Sequence, residues 1–205
     1  MILQKETKAK YKSDELSRRQ LSAFFNDYTL EEQEYDEIWD KWFLEESIWC
    51  HEDFGGQYAG SGTIDYIEGL ILYTFIRKLK PKTIFEIGTA QGMSAALMAE
   101  GLRANQTKNS RIHCVDKKLP RRMSPHFATA MGDELIDFYE ADAFEFLKET
   151  EEIPQLIFVD ADHREDFCMK IADTLHSMFP HATYLYHEWS LSTISGKPEI
   201  DYISR

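Results

Sequence analysis

Five short apolar runs, at residues 83–87, 112–115, 136–139, 155–159 and 183–186, are separated by segments long enough to hold helices. This repeated strand–helix order constrains the fold more than any other feature, because it builds a parallel sheet rather than a set of hairpins. Helices are expected over roughly 91–104, 142–150 and 164–178. Right-handed crossovers between parallel strands then place ligand sites at the carboxyl ends of the strands. The expected class is α/β, with a doubly wound, mostly parallel sheet.

Upstream of the alternation the pattern is helical. A helix is expected from Ser13, where Asp14 and Glu15 face the positive dipole end and Leu16, Leu21, Phe24 and Phe25 supply apolar contacts. Thr29 and Glu32 make a capping box for a second helix, whose stripe of Ile38, Trp39, Trp42 and Phe43 has helical spacing. Gly55, Gly56, Gly60 and Gly62 mark a loop, after which Ile64, Ile67, Ile71 and Phe75 predict a helix that stops at Lys80 before Pro81. The expected organisation is a helical cap with its glycine-rich loop over 1–62 and a main domain over 63–205. After Trp189 a short polar tail with Gly196 and Pro198 is too brief for a helix and two strands. The sheet is therefore expected to be shortened at its C-terminal edge, with the N-terminal helices or a second copy of the chain covering it.

Composition closes off several partners. In 205 residues no apolar run approaches the roughly 20 needed to span a membrane, and the segment Met1 to Lys12 has no apolar stretch like that of a signal peptide. A cytoplasmic protein without a membrane partner is expected. The net charge of −13 opposes a general affinity for nucleic acid. Cys50, Cys114 and Cys168 have no CxxC spacing and suggest neither a disulfide framework nor a cysteine zinc site.

The segment Thr83-Ile84-Phe85-Glu86-Ile87-Gly88-Thr89-Ala90-Gln91-Gly92-Met93-Ser94 reads as a strand, a small-residue turn and a helix start. Gly88 and Gly92 let the backbone turn under a ligand, the first helical amides can hold a carboxylate, and Glu86 can pair with an ammonium group. The amino-acid end of S-adenosylmethionine carries both charges. A dinucleotide would need further glycines where Thr89 and Ala90 stand. Asp116 ends the next run and can accept from ribose hydroxyls, while Asp142, after the third run, can accept from an adenine amino group or serve equally as a helix N-cap. Singly each acid is as readily structural as functional; together they mark successive strand ends.

On these motifs the chain, over roughly residues 60–190, resembles class I S-adenosylmethionine-dependent methyltransferases, with their Rossmann-like fold. It is closest to small O-methyltransferases whose glycine motif reads like Glu-Ile-Gly-Thr and whose fourth strand ends in Asp-x-Asp-His. The resemblance implies that Glu86 lies near the methionine part, that Asp116 holds ribose and that Asp142 reads adenine, with Gly88, Thr89, Gly92 and Ser94 as further cofactor contacts.

Leu156-Ile157-Phe158-Val159 empties into Asp160-Ala161-Asp162-His163, and Tyr184-Leu185-Tyr186 into His187-Glu188-Trp189. The chain resembles metal-assisted members in which such residues hold a divalent ion, commonly magnesium; Asp160 and Glu188 are the first choices and His187 an optional third. A nitrogen ligand would favour manganese or iron instead, and solvated acids without a metal are the competing reading. His163, with Asp160 beside it, is the candidate base for a hydroxyl substrate, against a reading as a helix-start surface residue. The expected activity is O-methylation of a small hydroxylated molecule. A non-catalytic nucleotide-fold module and a related metal-dependent hydroxylase are the alternatives.

Overall fold

The computed structural model describes residues 30–39, 64, 66–90, 92–119 and 132–187. The chain divides into two compact units, Met1–Leu79 and Lys80–Arg205. The domain boundary expected from the sequence falls at 62/63, and the helix that follows it lies within the first of these units.

In the first unit the described helices are α1 (Glu32–Trp39) and α2 (Tyr66–Leu79). Glu34 joins them. The Arg77 guanidinium takes both of its oxygens, and Tyr73 Oη donates to Oε1 at 2.7 Å. Burial raises the Glu34 carboxyl, yet Arg77 and Tyr73 outweigh it and leave the group below its ordinary value. Leu70 and Ile76 of α2 are fully buried. The helix expected from Ser13, and Trp42 and Phe43 of the second stripe, lie outside the described residues.

The second unit alternates β1 (Thr83–Ile87), α3 (Met93–Ala104), β2 (Arg111–Asp116), β3 (Ile136–Glu140), α4 (Ala143–Glu149), β4 (Leu156–Val159), α5 (Glu165–Met178) and β5 (Thr183–Tyr186). All five strands are parallel, in the order β3-β2-β1-β4-β5. This is the Rossmann-like doubly wound arrangement that the alternation predicts, and each strand matches its apolar run to within a residue. Central strands of such a sheet are covered on both faces, so β4 is buried along its whole length and β1 over its last four residues. Phe85, Ile87, Val115, Ile157 and Val159 point to one face and form a core with Phe146 and Leu147 of α4 and Ile171 and Leu175 of α5. Glu86, Cys114 and Phe158 share one register row, and alternation along each strand turns them to the other face.

Local chemistry sets the helix ends. Asp142 caps α4 by accepting from the Phe144 amide at 2.9 Å. Glu165 and Asp166 stand in the first turn of α5, where they complement its dipole. Among the described residues no helix is long and apolar enough to cross a membrane.

Candidate functional site

The strand order contains one switch point. From β1 the chain steps to β2 and β3, then returns across the sheet to β4 on the other side of β1. The connections therefore diverge at β1 and β4, opening a crevice beyond their carboxyl ends. The hydrogen-bond ladder continues past the strands. Gly88 N–H donates to Val115 O at 2.8 Å, Asp160 N–H to Ile87 O at 2.9 Å, His187 N–H to Val159 O at 3.0 Å and Ala141 N–H to Asp116 O at 2.9 Å. The candidate residues that follow four different strands are thus held in one row.

Glu86 is fully buried near the end of β1. Ser94 Oγ donates to its Oε1, while its Oε2 and the nearby Thr89 Oγ1 are buried without a hydrogen-bond partner among the described residues. Burial pushes the carboxyl up to about 7; Cys114, Ser94 and Thr89 pull it back, and the charge of Asp160 adds to the rise. A buried carboxylate oxygen without a donor is costly, and a cationic group would relieve that cost.

The turn after β1 uses left-handed backbone at Gly88 (φ 92°), Ala90 (φ 40°) and Gly92 (φ 72°). A Cβ at Gly88 would stand 2.1 Å from Asp160 O and 2.8 Å from Ala161 Cα, so the missing side chain makes room for the β4 loop.

Asp116 is engaged with this turn. Its Oδ2 accepts from the Thr89 and Ala90 amides, both at 3.1 Å, and its Oδ1 from the Lys118 amide at 3.0 Å. Asp142 is the N-cap that the sequence left open, and its Oδ2 lies 3.3 Å from Lys117 Nζ. Burial raises the Asp142 carboxyl, but the Phe144 amide and Lys117 outweigh it and lower the group overall.

On the other side of the switch point, Asp160 meets two imidazoles. His187 Nδ1 lies 2.8 Å from Asp160 Oδ1, and His163 Nε2 lies 3.6 Å from the same oxygen. The side chains of Asp160 and His187 are 14% and 12% exposed, and that of His163 is 42% exposed, so the pair is largely enclosed and His163 reaches solvent. Glu188 lies outside the described residues.

Residues 85–189, more than half of the chain, match the family described as "Methyltransferase domain". The chain belongs to this methyltransferase family. Its fold is similar to that of the SAH-bound methyltransferase PaMTH1 from Podospora anserina, with a TM-score of 0.53 and 21% identity over 91% of this chain and 76% of that one. It is also similar to the O-methyltransferase TomG from Streptomyces achromogenes, solved with SAM, with a TM-score of 0.55 and 16% identity over 91% and 79%. At such identities the likeness establishes the fold. No curated protein sequence matches the chain.

The methyltransferase domain brings together Glu86, Thr89, Ser94 and Asp116 around the turn, and Asp160, His163 and His187 across the crevice. Ser94, a cofactor contact by resemblance, donates its hydroxyl to Glu86 in this structure. Lys117, beside Asp142, is not among the sequence candidates, and Cys114 reads there only as neither a disulfide nor a zinc-ligand cysteine, although its thiol lies close enough to Glu86 to affect its ionisation. The cross-strand register of β1 and β2 sets Cys114 beside Glu86, and only a signal for strand pairing could have found it.

Proposed function

We propose that this methyltransferase uses S-adenosylmethionine and methylates the oxygen of a small hydroxylated acceptor. One observation carries the reading: strand-end acids on the β1–β2–β3 side of the switch point face a carboxylate with two imidazoles on the β4–β5 side.

The chain's residues fit the cofactor. Glu86 Oε2 and Thr89 Oγ1, both buried without partners among the described residues, offer acceptors to an ammonium group, and the first amides of α3 offer donors to a carboxylate. Asp116 Oδ1, with a single donor among the described residues, has room for a ribose hydroxyl. Asp142 keeps its cap through Oδ1 and can turn Oδ2 from the exposed Lys117 to an adenine amino group. When bound, S-adenosylmethionine supplies an electrophilic methyl group. His163 then accepts the proton of the acceptor hydroxyl at Nε2, while Asp160 stabilises the imidazolium that results.

Divalent assistance is part of the proposal, with Asp160, His187 and Glu188 as ligands. Its support is the meeting of Asp160 with His187. A cation at that point would orient the acceptor oxygen and acidify its hydroxyl. A second copy of the chain covering the sheet edge is supported by β5, which pairs only with β4 among the described residues.

Calorimetry with S-adenosylhomocysteine, followed by methyl-transfer assays on a panel of small phenols and alcohols, tests the reading. Binding to the wild type is expected, and Asp116→Ala should weaken it by about 1.5–3 kcal/mol, the scale of hydrogen bonds to a charged group. A folded wild type without affinity for S-adenosylhomocysteine would sink the proposal.

A further inference from the structure

We propose that Cys114 is a positioning residue for the cofactor: its thiol donates to the Glu86 carboxylate and holds that carboxylate in place for the ammonium group. The inference rests on the S-adenosylmethionine reading above.

Register brings the two side chains together. β1 and β2 run in parallel with Glu86 and Cys114 as direct partners, so both side chains turn to the same face across strands about 4.8 Å apart. On its other flank Glu86 is partnered by Phe158 of β4, whose ring has no proton to donate. Of these two cross-strand neighbours, Cys114 alone can supply a side-chain hydrogen bond.

Glu86 has need of one. Both residues are fully buried, and Ser94 serves only Oε1 of the carboxylate. Oε2 has no partner among the described residues. A buried oxygen left bare points to a group that arrives from outside, and the direction in which that oxygen is held decides how well the group is received. Thr89 Oγ1, equally buried and unpartnered among the described residues, belongs to the turn that would meet the cofactor, whereas Cys114 lies inside β2.

Ionisation agrees with this placement. Burial, and then the charge of Glu86, raise the Cys114 thiol well above its ordinary value, so it stays protonated and acts as a donor. Burial also raises the Glu86 carboxyl, with the charge of Asp160 adding to the rise. Of the groups that oppose it, Cys114 stands first, ahead of Ser94 and Thr89. A thiol is a weak donor, but in a low-dielectric interior a bond to a charged oxygen counts for more. Its proton turns about the Cβ–Sγ bond, so the bond can close on Oε2 as the carboxylate takes up its charge.

The test uses the full chain. Calorimetry with S-adenosylhomocysteine compares Cys114→Ser, which keeps a donor, with Cys114→Ala and Cys114→Val, which lose it. The last two should bind about fivefold to tenfold more weakly than the wild type, the loss of one hydrogen bond, and Cys114→Ser should bind at least about threefold tighter than either. A thiol that only fills space gives the opposite order, with Cys114→Val close to the wild type and Cys114→Ser well below it. That order, or one affinity for all four proteins, overturns the proposal. A second readout needs no cofactor: the infrared S–H stretching band of Cys114, separated from those of Cys50 and Cys168 by subtracting the Cys114→Ser spectrum. At about pH 9, with Glu86 charged, the band should lie at the lower frequency of a hydrogen-bonded thiol and rise in Glu86→Gln. A band that Glu86→Gln leaves in place overturns the proposal too. Thermal unfolding checks each variant; should Cys114→Ala or Cys114→Val fail to fold, Cys114→Ser and the S–H band decide. A wild type that does not bind S-adenosylhomocysteine counts against the cofactor reading, whereas binding with the wrong order of variants counts against Cys114 alone.

Discussion

Glu86→Gln should make the cofactor-free protein more stable, and increasingly so as pH rises. The carboxyl is fully buried, and burial lifts it from an ordinary 4.5 to about 7. A group raised in the folded state contributes its full stability below its unfolded value and loses it as pH rises through the folded value. Taken over the whole range, ionisation of Glu86 costs the fold about 3 kcal/mol, since each tenfold change in proton affinity is about 1.4 kcal/mol. Between about pH 6 and about pH 9, well above the acidic isoelectric region of a chain with net charge −13, about 1.4 kcal/mol of that cost develops. Glutamine does not titrate. Its oxygen can keep the bond from Ser94, and its amide can donate to Thr89 Oγ1, which has no partner among the described residues. Urea unfolding of both proteins at the two pH values gives the stability gap by linear extrapolation. Other titrating groups cancel in the comparison, so the widening of the gap isolates Glu86. A gap that stays constant or narrows toward high pH would refute the assignment of Glu86 as a buried, destabilising acid, and the same variant should bind S-adenosylhomocysteine more weakly.

Three further outcomes are expected. Gly88→Ala should cost at least about 3 kcal/mol, from a left-handed backbone worth about 1–2 kcal/mol to any other residue and a Cβ overlapping the Asp160 carbonyl; a melting temperature like that of the wild type would contradict it. Asp142→Ala should lose about 1 kcal/mol of stability with the cap, while Asp142→Asn, which keeps an acceptor for the Phe144 amide, should lose much less in the same unfolding assay. Burial holds the His113 imidazole below its ordinary value against Asp137 and Glu152, so its contribution is present above about pH 6.5 and lost as pH falls; His113→Phe should reduce the acid-side loss of stability, and an unchanged pH profile would exclude His113 as a cause.

The sheet was legible because its strands are apolar runs bounded by turns, a signal that depends on neither neighbours nor loops. That Asp160 would meet the segment after β5 was legible for the same reason, since residues that end adjacent parallel strands must meet, although the sequence favoured Glu188 there and the structure sets His187 against Asp160. Contacts made across the sheet were not. Nothing in residues 83–94 reveals that Gly88 backs onto the Asp160 carbonyl, or that Asp116 reaches the amides of Thr89 and Ala90. Ser94 illustrates a second limit: a hydroxyl at a helix start serves a ligand or a buried acid equally well, and the residues around it in sequence do not reveal its bond to Glu86.

The contact between Gly88 and the Asp160 carbonyl has a bearing on redesign. The turn that would hold the methyl donor and the loop that would receive the acceptor lean on each other through main-chain atoms, with no side chain between them to absorb a mismatch. A change in length or register on either side therefore displaces the other. Loops grafted from a relative to alter acceptor choice would have to be exchanged as a matched pair, Gly88–Gly92 together with Asp160–Arg164, for donor and acceptor to keep their alignment.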